Sequence, residues 1–201
     1  TELVLVKKHG NFKIIGSTLD DAAGEAFDKV ARMLGFDYPG GKYISKAALQ
    51  SGASKYKIPH ALPHPMLNRK NYDFSFSGLK TAVLYLIRDE IKNHSLATMR
   101  PALSAEFQNA VVDVLVAKTI RAAQEFKVKT VTLGGGVAAN AALRERLKNK
   151  LAAELPKVPL VIPELSLTGD NALMIAVAAY FCGKKTSPDK VQADANVVLS
   201  R

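Results

Sequence analysis

The chain has 201 residues, 48% of them hydrophobic and 23% charged, and carries a formal net charge of +10. This is the composition of an ordinary globular protein of one domain or two small lobes, with no apolar run of about 18 residues to span a bilayer. Its one cysteine, Cys182, excludes an internal disulfide and a cysteine-type zinc site, so a reducing cytoplasmic setting is expected, and the basic excess favours a polyanionic partner such as nucleic acid.

Thr1–Val6 and Phe12–Ile15 are rich in β-formers and flank Lys7-Lys8-His9-Gly10-Asn11, which reads as a hairpin. The chain opens on TELVLV, already in mid-strand and without Met, so an N-terminal portion is expected to be missing. Thr18 or Asp20 is expected to cap a helix over 21–34 that Gly35 stops. Tyr38-Pro39-Gly40-Gly41 is a turn, and a short helix follows near 44–50. Residues 51–71 are rich in Pro, Gly, Ser and Lys and read as an irregular excursion. Helices are expected over 77–92 and 101–126, a strand over 128–133, a helix over 141–155, a short strand at 160–162 and a nearly apolar, buried helix over 171–181. The tail from Lys184 to Arg201 is weakly patterned. The mixture is an α/β pattern.

Four stretches carry chemistry. In LDDAAGEAFDKV, helical spacing places Asp21, Gly24, Glu25 and Asp28 on one side. Gly24 costs about 1 kcal/mol there relative to Ala, which a close approach of ligand or backbone would justify. Asp28 can meet a ligand or pair with Arg32, and Gly40-Gly41 would let backbone approach the same place. In DFSFSGLKT, Lys80 sits in a first helical turn against the dipole preference, so either an anionic guest or solvent holds it. In TLGGGVAAN, Gly134, Gly135 and Gly136 lie between strand and helix, where backbone N–H groups and the helix dipole suit a phosphate, ribose or carboxylate. Asn140 can cap that helix or reach a ligand hydroxyl. In TGDNALMI, Asp170 stands at the start of an apolar helix as a cap or as one metal ligand. His60 and His64 have metal-ligand spacing, but Pro59, Pro63 and Pro65 forbid the helix that would bring them together.

TLDDAAGEAFDKVARMLGFDYPGG, DFSFSGLKTAV, GGGVAANAALRERL and TGDNALMIA, in that order and across essentially the whole chain, resemble the bacterial TsaD family, also called Gcp or YgjD. These are tRNA adenosine threonylcarbamoyltransferases, once labelled O-sialoglycoprotein endopeptidases. The resemblance implies an actin/Hsp70/sugar-kinase (ASKHA) fold of two α/β lobes, incomplete here at the N-terminus. In these terms residues 1–20 continue a truncated sheet, 21–165 form a mainly helical lobe with nucleotide-cradling turns, and 166–201 hold the metal-ligand helix and tail. It also implies transfer of a threonylcarbamoyl group from threonylcarbamoyl-AMP to N6 of adenosine 37 in tRNAs reading ANN codons.

Carried over by motif, Asp28, Gly41 and Asn140 bind substrate, and Asp170 ligates one iron or zinc ion that could act as a Lewis acid. Gly169 stands beside that acid where the motif has another pattern. The family's H-x-x-x-H metal pair and Ser-Gly-Gly-His segment would precede Thr1, so the chain is expected to be inactive by itself. The resemblance implies the degenerate paralogue TsaB and the ATPase TsaE as partners. Lys7, Lys8, Lys55, Lys57, Arg69, Lys70, Arg144 and Arg146 are candidate tRNA contacts. Another ATP-dependent kinase of the same fold and a non-catalytic scaffold paralogue are the competing readings.

Overall fold

A computed structural model describes residues 1–183, 187–190 and 192, with the side chain of Cys182 excepted. Strands β1 (Glu2–Lys8) and β2 (Asn11–Ser17) form an antiparallel hairpin, turned by Gly10 at φ 71°. Helices α1 (Ala23–Met33), α2 (Gly41–Ala48), α3 (Ser77–Glu90) and the 30-residue α4 (Leu96–Glu125) follow. Strand β3 (Val131–Thr132) pairs in parallel with β4 (Leu160–Val161), and α5 (Ala141–Glu154) connects them. Helix α6 (Ala172–Cys182) comes last, so the described chain is mixed α/β with two small two-stranded sheets.

Helix α4 organises the interior. At about 1.5 Å per residue it is long enough to serve two cores. Its first half packs with Phe27, Val30, Leu34, Ile44, Phe76 and Leu79 around Phe107. Its second half packs Val112, Val116 and Ile120 against Leu143, Leu147 and Leu151 of α5. Phe27 and Phe107 meet edge to face with centroids 5.0 Å apart, the arrangement that ring quadrupoles favour.

Several local expectations change. Helix α4 starts at Leu96 rather than at Pro101, because Ser95 accepts the Thr98 N–H and Pro101 forfeits only one intrahelical bond near the start. Neither Thr18 nor Asp20 caps α1, whose N-cap is Ala22. Asp20 instead caps α3: one carboxylate oxygen accepts the N–H groups of Phe76 (2.8 Å) and Ser77 (3.2 Å), the other the Ser75 hydroxyl (2.5 Å). Unpaired N–H groups at a helix start donate to any nearby carboxylate, whatever its separation in sequence. Burial raises the Asp20 pKa, and these hydrogen bonds outweigh it and leave the carboxyl below its usual value.

Lys80 faces neither an external anion nor bare solvent. It donates to Asp21 at 3.0 Å, and Lys29 donates to the other Asp21 oxygen at 2.7 Å. The Lys29 hydrogen bond, with Lys80 adding to it, holds Asp21 below the ordinary carboxylate range. Helix α6 is not buried: every described side chain from Ala172 to Phe181 is exposed. Its apolar circumference creates a demand for cover, which among the described residues is met only in part, as where Phe181 stacks on His9. Most of the tail expectation, over 184–186, 191 and 193–201, lies outside the described residues.

Candidate nucleotide-binding cavity

Two turns and three helix ends enclose a cavity of about 610 Å³ lined by Asp28, Gly41, Ser45, Gly136 and Asn140, among others. That volume lies within the range of small-molecule sites.

One wall is α1 and the turn after it. Asp28 lies on the fourth-residue repeat from Gly24, so both face the cavity. Its Oδ1 accepts the Gly40 N–H at 2.7 Å, pinning the turn to the helix. Among the described residues its second oxygen has no donor, and Arg32 is not its partner. Gly40 is confined, since a Cβ there would lie 2.2 Å from the Ala31 Cβ and 3.1 Å from the Asp28 Cα. Gly41 is the opposite case: a Cβ there would meet nothing within 4 Å, so the glycine leaves room inside the cavity. Gly24 opens the α1 end, with the nearest obstruction to a Cβ being Val137 Cγ2 at 3.4 Å.

The facing wall is the segment between β3 and α5. Gly135 has φ 82°, the left-handed region that glycine enters without strain, and it turns the chain into a short 3-10 stretch over Gly136–Ala139. Asn140 then starts α5, with its Oδ1 accepting the Leu143 N–H at 2.9 Å. Asn140 is 9% exposed, and its amide nitrogen donates to Ser45 Oγ at 3.0 Å and Gln108 Oε1 at 2.8 Å. Arg144 braces this wall from behind, through the Ala138 carbonyl and the Pro163 carbonyl at 3.0 Å.

The cavity therefore gathers Asp28, Gly41, Gly136 and Asn140 from three separate parts of the sequence. Gly134, Gly135 and Asp170 do not line it. Asp170 is exposed, and Asn171, not Asp170, caps α6 by accepting the Met174 N–H at 2.9 Å. Among the described residues no three His, Cys, Asp or Glu side chains come together as a metal site. Asp170 is then a single donor, and the residues present do not by themselves fit an iron or zinc ion. His60 and His64 make no pair either; His64 hydrogen-bonds Asp113 at 3.1 Å.

Of the basic candidates, Lys7, Lys8, Lys55, Lys57, Arg69 and Lys70 are exposed. Arg146 binds Asp113 and Asn109, and Arg144 binds the two carbonyls above, so both are committed within the fold. Sequence reasoning missed Ser45 and Gln108, whose signal was a polar residue on an apolar helical face. It also missed Lys118, which is fully buried and donates to the Asn71 and Asp73 carbonyls at 3.1 and 2.6 Å. Burial pushes the Lys118 ammonium pKa down.

Residues 1–177 match the family described as TsaD, tRNA N6-adenosine threonylcarbamoyltransferase. Curated proteins of that description include one from Enterococcus faecalis, 50% identical over 92% of this chain and 51% of its own length. Another from Geobacillus kaustophilus is 53% identical over 92% of the chain and 53% of its own length. A third, from Listeria welshimeri, is 48% identical over 94% of the chain and 54% of its own length. The chain spans about half the length of these relatives.

Proposed function

Because the chain belongs to the TsaD family of tRNA N6-adenosine threonylcarbamoyltransferases, we propose that its cavity holds the nucleotide part of threonylcarbamoyl-AMP within a two-lobed ASKHA-type enzyme. The observation that carries this reading is the convergence of Asp28, Gly41 and Asn140 on one cavity. Asp28 has a carboxylate oxygen free to accept from ribose hydroxyls while Gly40 holds the other. The open space at Gly41 admits the sugar or base. The turn at Gly136 and the start of α5 offer main-chain N–H groups and the positive end of a helix dipole to the phosphate.

In the transfer, the N6 amine of the tRNA adenosine attacks the carbamoyl carbon. The new C–N bond forms as the bond from that carbon to the phosphate oxygen breaks. AMP leaves, and N6 loses a proton. This chain's part in the reaction is to hold the AMP leaving group in place, which turns a bimolecular encounter into a positioned one. The exposed lysines Lys7, Lys8, Lys55, Lys57 and Lys70, with Arg69, are offered to the tRNA backbone. The paralogue TsaB and the ATPase TsaE are the proposed protein partners, and the cytoplasm the proposed compartment. Among the described residues no helix is long and apolar enough to cross a membrane.

Calorimetric titration of the chain with AMP and with threonylcarbamoyl-AMP tests the reading. Asp28→Ala should weaken both ligands at least about tenfold, the effect of losing a hydrogen bond to a charged group. Undiminished binding would remove Asp28 from the site. The same substitution in the whole enzyme should lower threonylcarbamoylation of tRNA.

A further inference from the structure

Gln108 lies outside the cavity lining, in the middle of α4, and is 7% exposed. We infer that Gln108 is a positioning residue for the nucleotide site: it fixes the Asn140 side chain, and through it the distance between the α2 and α5 walls. The inference rests on the reading of the cavity as a nucleotide site.

Hydrogen-bond direction fixes which way each amide points. A backbone N–H can only donate, so the Leu143 N–H assigns the oxygen of the Asn140 amide to the α5 side. The Asn140 NH2 group must then face the other way, toward Ser45 Oγ and Gln108 Oε1. It has two protons for those two acceptors. Gln108 accordingly presents its oxygen, and its own NH2 turns away. One amide thus ties α2, α4 and α5 together, with no freedom to flip end for end. Ser45 alone cannot keep this arrangement, because a hydroxyl rotates and can donate as readily as accept. Gln108 is held by a long helix packed into both cores, so it supplies the fixed acceptor. Removing it leaves a buried amide proton without a partner, and the Asn140 side chain is freed to turn. The α5 start and the Gly136 turn then lose their register with Gly41 and Ser45 across the cavity.

Three variants of the chain, Gln108→Leu, Gln108→Glu and Gln108→Ala, with AMP as the probe, test this. Thermal unfolding, calorimetric AMP affinity of the folded protein, and hydrogen exchange of the Asn140 side-chain amide by NMR are measured on each. In the unsubstituted chain the Asn140 Nδ2 protons should exchange at least about tenfold more slowly than those of exposed Asn93. Gln108→Leu and Gln108→Ala should abolish that protection and weaken AMP about tenfold. Gln108→Glu keeps an acceptor oxygen in the same place and should restore both.

An affinity unchanged in Gln108→Leu, with only the melting temperature lowered, would reduce Gln108 to a packing residue and overturn the inference. Unprotected Asn140 amide protons in the unsubstituted chain would overturn it as well. If the unsubstituted chain shows that protection but binds no AMP, the nucleotide reading of the cavity fails. The inference then falls with it as a statement about ligand, while the measured lock on Asn140 remains.

Discussion

Helices α4 and α6 are both rich in apolar residues, and their surroundings are opposite. Phe107 and Leu103 of α4 are fully buried, and the polar Gln108 and Lys118 beside them are tied to Asn140 and to the Asn71 and Asp73 carbonyls. In α6, Leu173 is 55% exposed, Ile175 63% and Phe181 53%, with Phe181 stacked on His9 at 4.4 Å. An apolar helix therefore states only that it needs cover. Whether cover exists depends on elements distant in sequence, and buried polar groups with defined partners are the better mark of a finished interior. The cavity lies at the finished end, whereas Asp170 stands at the open one.

The largest test of this contrast is a pair of truncations. Phe107→Ala should cost about 3–5 kcal/mol in chemical denaturation, since it removes the central ring of the first core. Phe181→Ala should cost less than about 1 kcal/mol, as exposed positions do. Equal losses would mean that α6 is covered in solution. Next is a contrast inside the cavity. Gly40→Ala forces a Cβ against the Ala31 Cβ and the α1 backbone, and should cost about 1–3 kcal/mol by the same assay. Gly41→Ala should leave stability within about 0.5 kcal/mol while weakening AMP, because its Cβ enters space that the protein leaves open. A stable, fully binding Gly41→Ala chain would place the ligand elsewhere.

The sequence made the elements legible wherever one local rule decided them. The hairpin, the α5 start at Asn140 and the Gly135–Gly136 turn follow from turn and capping chemistry, and the structure holds them where expected. What a local reading cannot supply is the partner. Asp20 looked like a cap for the helix beside it, yet it caps α3 from more than fifty residues away in sequence. Local spacing leaves Lys80 to a foreign anion or to solvent, and Asp21 of the same chain provides the anion. The cavity follows the same rule. Asp28, Gly41 and Asn140 were named from motif resemblance, and the structure brings all three to one space. Gln108 escaped notice because its role exists only once α2, α4 and α5 meet.

The pH dependence gives a smaller effect at the finished end. Asp21 is held by Lys29 and Lys80, and its pKa lies below the ordinary carboxylate value. The folded state therefore binds its proton less readily than the unfolded chain does. The stabilisation is fully present above about pH 4 and is lost as pH falls toward the folded pKa. Asp21→Asn should lower stability at pH 7 and flatten the acid limb of the stability curve. A variant with an unchanged acid limb would show that the two lysines contribute nothing measurable to Asp21. Asp20, lowered by its contacts at the α3 start, should behave in the same sense.

The smallest change is expected on α6, where Ile175→Ser replaces a side chain that is 63% exposed. A buried isoleucine has transfer energy to lose, but one already in water has little, so stability should shift by less than about 0.5 kcal/mol. Binding of a hydrophobic dye should nonetheless fall, because that signal counts exposed apolar surface and not folding energy. The two readouts separate the possibilities. A drop in dye binding at constant stability is what a bare helix gives. A drop in stability with unchanged dye binding would mean that Ile175 is packed in solution, and the contrast between α4 and α6 would no longer hold.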